Sequence, residues 1–265
     1  MTATTAQAKL TVERVTVQFP LGKETVTALS DVSFTIDQGE FCAVVGPSGC
    51  GKSTLLRVIA DLANPTSGEV SINADDPGKP LQAMVFQGNS VFPWMTVLQN
   101  AAYGLEMRGV SQPEREQVAE RLLHQVGLGD FLTAYPSQLS EGMRQRVAIA
   151  RAFAVDPELL LMDEPFGALD EQTRIILQDE LLRIWEATGK TVIFVTHSID
   201  EAMILADRIL VLSARPGTIK EDIRVPFSRP RSVETVRSDP DFNRLFLRIW
   251  SLLRDDAESA VRGPR

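Results

Sequence analysis

The run Gly46-Pro47-Ser48-Gly49-Cys50-Gly51-Lys52-Ser53 carries the strongest chemical signal in the chain, because it fits the spacing G-x-x-x-x-G-K-[ST]. Glycines let a backbone bend until successive N–H groups point at one anion, and a helix that starts at the lysine adds its dipole. Lys52 is placed to reach the β- and γ-phosphates of a nucleoside triphosphate, the Ser53 hydroxyl to ligate Mg²⁺, and Thr54 to complete the phosphate-binding set. The context agrees: the apolar run Phe41 to Val45 precedes the loop, and Leu55, Leu56, Ile59 and Leu62 mark a helix after it. Cys50 reads as a passive small residue within the loop, and Cys42 as core.

Triphosphate chemistry also needs acids. Leu159-Leu-Leu-Met-Asp163-Glu164 puts two carboxylates at the end of a buried strand, where Asp163 can hold the Mg²⁺ shell and Glu164 can polarise an attacking water. His197 follows the apolar run Val192 to Val195 and Thr196, at the mouth of another strand, where it can donate to a γ-phosphate.

The elements that must hold these residues are legible in outline. Short apolar runs alternate with longer helical patterns, the mark of an α/β protein with parallel strands. Phe41–Val45, Leu159–Met162, Val192–Val195 and Ile209–Leu212 read as strands buried on both faces. Residues 11–40 alternate apolar and polar positions around Gly22 and Gly39, predicting antiparallel β structure ahead of the first buried strand. Between Gln87 and Asp156 the strand signal vanishes. Helical stretches such as Val118 to Val126 replace it, broken by Gly109, Gly127, Gly129 and Pro136, and predict a helical insertion. In the tail, Asp239 is suited to cap a helix with Pro240 at its first position. Phe242, Leu245, Phe246, Ile249, Trp250 and Leu253 then form one apolar stripe, expected to pack on its own domain.

Composition narrows the setting. The 265 residues are 44% hydrophobic and 23% charged, enough for a sizeable core and against a disordered chain. The longest apolar runs fall far short of the roughly 20 residues a membrane helix needs. The stretch Met1 to Lys9 lacks a basic region followed by an apolar one, and two cysteines make no disulfide framework, so a reduced cytoplasmic setting is expected. The net charge of −8 divides unevenly: residues 213–265 carry +3 and the preceding 212 residues −11, which counts against a nucleic-acid coat.

One further segment makes the pattern specific. Leu139-Ser140-Glu141-Gly142-Met143-Arg144-Gln145-Arg146 resembles LSGGQ-x-x-R, the signature motif of the ATPase subunits of ABC transporters. Gln87, in Met84-Val-Phe-Gln87, is similar to the glutamine that in this family links the metal site to the helical insertion; Ala168-Leu169-Asp170 resembles its subunit-crossing loop, and Phe19 its adenine-stacking aromatic. The resemblance implies a P-loop NTPase fold of the ABC ATPase type: a parallel-sheet core, an N-terminal antiparallel β subdomain and a helical insertion. It implies an ATPase domain over residues 8–213, with the insertion at about 88–157, and a C-terminal extension over 214–265. It also implies that ATP and Mg²⁺ are bound between two copies, the phosphate loop of one facing Ser140 and Gly142 of the other, with Asp170 nearby. Catalysis is then expected from Glu164, His197 and Gln87, and metal binding from Ser53, Gln87 and Asp163.

Two positions depart from the signature. Glu141 replaces a glycine and is expected to turn outward, leaving the contact to Ser140 and Gly142; Met143 replaces the glutamine, as in importers for nitrate, sulfonates and taurine. The tail, with Val211-Leu-Ser-Ala-Arg-Pro-Gly217, Arg229-Pro-Arg231 and Asp239-Pro-Asp-Phe242, is similar to the ending of the same importers. The partners so implied are a second ATPase subunit, giving a homodimer, a membrane permease dimer and, indirectly, an extracytoplasmic solute-binding protein, but no nucleic acid. The place implied is the cytoplasmic face of the cell membrane, held peripherally. Asn89-Ser-Val-Phe-Pro-Trp94 is expected to help form the groove for a permease helix. Non-transport ABC ATPases usually carry paired nucleotide domains, zinc motifs or coiled coils, which this sequence lacks, and a GTPase switch would need an N-K-x-D motif, also absent.

Overall fold

A computed structural model describes residues 8–22, 24–88 and 90–262, with side chains described as far as Arg254. Residues 1–7, part of the leader reading, and Asn89, the first residue of the aromatic loop, lie outside the described residues. In chain order the elements begin with β1 (Ala8–Leu21), β2 (Glu24–Asp37), β3 (Phe41–Val45), α1 (Lys52–Ile59), β4 (Ser67–Ile72) and β5 (Gln82–Val85). Next come α2 (Val97–Met107), α3 (Gln112–Gln125), α4 (Glu141–Ala154), β6 (Leu159–Asp163) and α5 (Glu171–Thr188). The chain ends with β7 (Thr191–Thr196), α6 (Ile199–Leu205), β8 (Arg208–Leu212), β9 (Ile219–Arg224), α7 (Val233–Arg237) and α8 (Phe242–Arg262). They gather into two compact units, Met1–Ala74 with Gly189–Arg265, and Asp75–Thr188.

In the first unit, β1 pairs antiparallel with β2 on one side and β4 on the other. Alternation does the work expected of it: Leu10, Val12, Val15 and Val17 of β1 and Val32, Phe34 and Ile36 of β2 are buried, and most residues between them are wet. In the same unit β3 lies parallel between β7 and β8, and every residue of β3 and β7 is buried, which is why both read as apolar without a period. The tail contributes β9, antiparallel on β8, so the parallel strands end on a charged edge strand, Ile-Lys-Glu-Asp-Ile-Arg. Arg208 grips Asp222 with two hydrogen bonds of 2.6 and 2.5 Å, fastening β9 to β8 and holding the guanidinium above its ordinary pKa.

Further on, Arg229 and Arg231 both donate to Asp207, at 3.0 and 3.1 Å, and moor the tail at the start of β8. The α8 stripe buries Leu245 and Ile249, whereas Trp250 is 48% exposed. Its start differs from the sequence reading. The Asp239 carboxylate accepts the Asp241 N–H at 2.9 Å and the Phe242 N–H bonds the Asp239 carbonyl, so a turn precedes the helix and Pro240 lies before its first residue.

The second unit pairs β5 and β6 in parallel and is otherwise helical. No strand lies between Gln87 and Asp156 among the described residues, as the loss of β signal predicts. Helices α2 and α4 bury Ala101, Ala102, Leu105, Val147, Ala148 and Ile149. Thr96 and Gln99 close a capping box at the start of α2, and Arg146 on α4 pairs with Glu180 on α5 at 3.3 Å.

Candidate functional site

The phosphate loop joins the buried end of β3 to α1, and its backbone explains its glycines. Gly51 sits at φ +107, and a Cβ there would come within 2.9 Å of the Ala28 carbonyl oxygen, so only glycine fits. Gly49 also takes a left-handed φ, +76, and is exposed with Ser48. No side chain caps α1 at Gly51, as suits a helix start that binds an anion. Lys52, 5% exposed, folds back over the loop and donates to the carbonyls of Gly46 at 2.9 Å and Pro47 at 3.1 Å. Its ammonium is therefore held over the loop. Ser53 and Thr54 are half-buried in the first turn, Pro47 is half-buried, and Cys50 is buried.

His197 is exposed immediately after β7, in the same unit as the loop. The residues on either side of it are tied together. Thr196 donates its hydroxyl to the buried Glu201 carboxylate at 2.5 Å and accepts the Ser198 N–H at 3.0 Å, while Ser198 Oγ accepts the Glu201 N–H at 3.3 Å. Sequence reasoning found His197 but missed Thr196 and Glu201; the signal was a hydroxyl just before the histidine and an acid one helical turn after it. Phe19 is 47% exposed near the end of β1, opposite Val26 across the hairpin.

The second unit carries the acids. Asp163 ends β6 and is 3% exposed. Glu164 follows at φ +44, a left-handed backbone that side-chain-bearing residues seldom adopt, and it is half-buried. Gln87 is brought to it: the Gln87 amide donates to the Glu164 carboxylate at 3.3 Å. Ser140 caps α4, its hydroxyl accepting the Met143 N–H at 3.3 Å, and Gly142 is packed so closely that a Cβ would meet the Thr173 methyl at 2.6 Å. Glu141 is exposed, and its carboxylate pairs with Arg144 one turn along the helix, at 3.2 Å. Asp170 opens α5 by accepting the Thr173 N–H at 3.0 Å and hydroxyl at 2.7 Å, which holds its carboxyl below the usual carboxylate range.

Among the described residues no group of three or more His, Cys, Asp and Glu could by itself hold a metal. Ser53 in the first unit and Gln87 and Asp163 in the second each offer an oxygen of the kind Mg²⁺ takes alongside phosphate and water oxygens. With uncapped amides and a buried lysine over the loop, the donor set fits a magnesium–triphosphate pair.

The ABC transporter family profile matches residues 29–167. A relative from Methanocaldococcus jannaschii, described as an uncharacterized ABC transporter ATP-binding protein, is 47% identical over 97% of this chain and 95% of its own. The chain belongs to the ABC transporter family. It is an ATP-binding, ATP-hydrolysing cassette of that family. The nitrate import ATP-binding protein of a Synechocystis is 46% identical over 86% of this chain and 89% of its own. The taurine import ATP-binding protein of Roseobacter denitrificans is 40% identical over 96% and 97%. A solved dimeric ATP-binding cassette in a post-hydrolysis state, bound to ADP and Pi, superposes with a TM-score of 0.72 at 34% identity, over 83% of this chain and all of that one. No helix among the described residues is long and apolar enough to cross a membrane.

Proposed function

We propose that this cassette hydrolyses ATP to drive uptake of a small anion or organic solute through a separate membrane permease. The observation that carries the reading is the uncapped loop before α1, with Lys52 held across it, in a chain whose relatives are named for nitrate import, taurine import and bicarbonate transport. Each residue then has a task. The loop from Gly46 to Thr54, through its backbone N–H groups (Pro47 has none and only shapes the turn), and the Lys52 ammonium hold the β- and γ-phosphates, and Phe19 stacks on the base. Ser53, Gln87 and Asp163 are the residues that would hold Mg²⁺, and the ion would supply charge neutralisation to the transferring phosphoryl group. Glu164 orients a water toward the γ-phosphorus, Gln87 fixes the Glu164 carboxylate, and His197 donates to the γ-phosphate. As the water oxygen bonds phosphorus and gives its proton to the Glu164 carboxylate, the bond to the bridging oxygen breaks, and ADP and inorganic phosphate are the products.

A second copy supplies Ser140 and Gly142 at the N-terminus of α4, so that two nucleotides are enclosed by a homodimer. Asp170 lies at the subunit crossing. The ATPase domain spans 8–213 with its insertion at about 88–157, and residues 214–265 form an extension. Differential affinity of nucleotide for closed over open dimers is what can move the permease. The assembly sits on the cytoplasmic face of the membrane and receives solute from an extracytoplasmic binding protein. Phe92 stacks edge-on to Tyr103 at 4.7 Å and lies 5.5 Å from Trp94, which is 68% exposed; these rings are proposed to line the permease groove.

The test is reconstitution with a candidate permease in proteoliposomes. Wild type is expected to couple MgATP hydrolysis to accumulation of one such solute, and Lys52→Ala to lose both. Hydrolysis that persists in Lys52→Ala, or export rather than import, would refute the reading.

A further inference from the structure

Two successive carbonyls of the phosphate loop face the segment after β8. The Gly49 carbonyl accepts from Arg215 twice, from Nε at 3.3 Å and from the terminal NH₂ at 3.2 Å. The Cys50 carbonyl lies so close to Gly217 that a Cβ there would approach it to 2.2 Å. The segment is itself braced. Ser213 and Thr218 close it with bonds from the Ser213 N–H to the Thr218 carbonyl and from the Thr218 N–H to Ser213 Oγ, both 2.9 Å. Gly217 stitches it to β2, donating to the Ala28 carbonyl at 2.9 Å and accepting the Ser30 N–H at 3.0 Å. Among the described residues Arg215 has no carboxylate partner; the Gly49 carbonyl is what its fork engages.

We propose that Arg215 is a positioning residue for ATP binding: from a rigid platform it pins the Gly49–Cys50 peptide, so that the loop's carbonyls stay outward and its amides stay available to phosphate. The need arises from Gly49. An exposed glycine at φ +76 is the most permissive point in the loop, and a peptide beside it can rotate at little steric cost. A guanidinium fork on the carbonyl opposes that rotation with two charge-assisted bonds and moves no atom of the phosphate-contacting face. The inference rests on the reading that this loop holds the phosphates of ATP.

The experiment compares wild type, Arg215→Ala, Arg215→Gln and Arg215→Lys by steady-state ATPase kinetics and by hydrogen exchange of the Gly49–Gly51 amides without nucleotide, with thermal melting to verify folding and Lys52→Ala as control. Arg215→Ala is expected to raise the KM for ATP about three- to tenfold, with a smaller change in kcat, and to speed exchange in the loop. Arg215→Gln, which keeps a donor without charge, should recover part of the loss. Wild-type KM and unchanged exchange in Arg215→Ala overturn the proposal. So does a raised KM in Arg215→Ala with loop exchange unchanged, since that would make the effect one of charge and not of peptide position; Arg215→Lys, whose ammonium can still donate one bond to the Gly49 carbonyl, should also recover part of the loss. Because exchange is read without nucleotide, a loop loosened in Arg215→Ala while Lys52→Ala still binds ATP would fault the phosphate reading and not the role of Arg215.

Discussion

Glu164, the residue proposed to orient the water, holds a backbone conformation that side-chain-bearing residues seldom adopt. A left-handed φ of +44 costs a residue with a Cβ about 1 kcal/mol relative to glycine, and surrounding structure must over-determine it. The buried end of β6 and the bond from Gln87 supply that constraint. The strain allows a clean comparison. Glu164→Ala and Glu164→Gly both remove the carboxylate, and both are expected to lower hydrolysis about a hundredfold or more. Only the glycine relieves the backbone. Glycine's larger entropy loss on folding takes back about 0.5 kcal/mol of that, so Glu164→Gly is expected to melt one or two degrees above Glu164→Ala, for a difference of about 0.5 kcal/mol. Equal melting temperatures would show that the conformation carries no strain. Glu164 drew notice as an acid at the end of an apolar run and Gln87 through the family resemblance; that a glutamate would adopt a glycine's backbone had no signal, because its residue type does not announce a left-handed φ.

At the scale of elements, Asn100 explains how an aromatic loop keeps its shape. It is fully buried in α2, where its Oδ1 accepts the Phe92 N–H at 2.7 Å and its amide donates to the carbonyls of Phe92, Met95 and Thr96 at 3.0 to 3.1 Å. One side chain thus satisfies backbone groups along a connection that has no ladder of its own. Asn100→Leu fills the volume but takes from the Phe92 N–H and the Met95 carbonyl their side-chain partner, while the Phe92 and Thr96 carbonyls keep the backbone N–H groups of residues 95 and 100, so it is expected to cost about 2–3 kcal/mol in denaturant unfolding and to speed exchange across residues 90–96. A loss under 0.5 kcal/mol would mean that water replaces the amide freely. Sequence reasoning saw exposed-prone aromatics here but not their anchor, since a lone asparagine in a helical pattern carries no periodicity. The same limit hid β4, β5 and β9. They are four to six residues long, and β4 and β9 are largely polar, whereas β3, β6, β7 and β8 announced themselves because burial on both faces demands apolar residues throughout. The signature segment was legible for another reason: a cap at Ser140 and a close approach at Gly142 each restrict residue type by themselves.

For the molecule as a whole, the question is what brings two copies together. A chain of net charge −8 repels its own kind at low ionic strength, so a stable pair needs a specific attraction that outweighs that field. Nucleotide enclosed between the phosphate loop of one copy and the α4 N-terminus of the other would supply it, provided the pair is not lost to hydrolysis. Glu141 is the obvious objection, a carboxylate in the signature facing a polyanion. Its pairing with Arg144 cancels most of that charge locally, and an exposed pair of this kind is worth about 1 kcal/mol or less. Glu164→Gln, which keeps the Gln87-bonded shape and removes the base, is therefore expected to sediment as a dimer with MgATP and as a monomer without it. Raising salt should favour the dimer until it screens the phosphate contacts themselves. Adding Glu141→Gly should shift the dimerisation midpoint by less than about tenfold, the factor that corresponds to 1.4 kcal/mol. A shift of several orders of magnitude would show that Glu141 opposes the nucleotide directly, and a Glu164→Gln chain that stays monomeric in MgATP would remove the ground for placing Ser140 and Gly142 opposite a neighbour's phosphates.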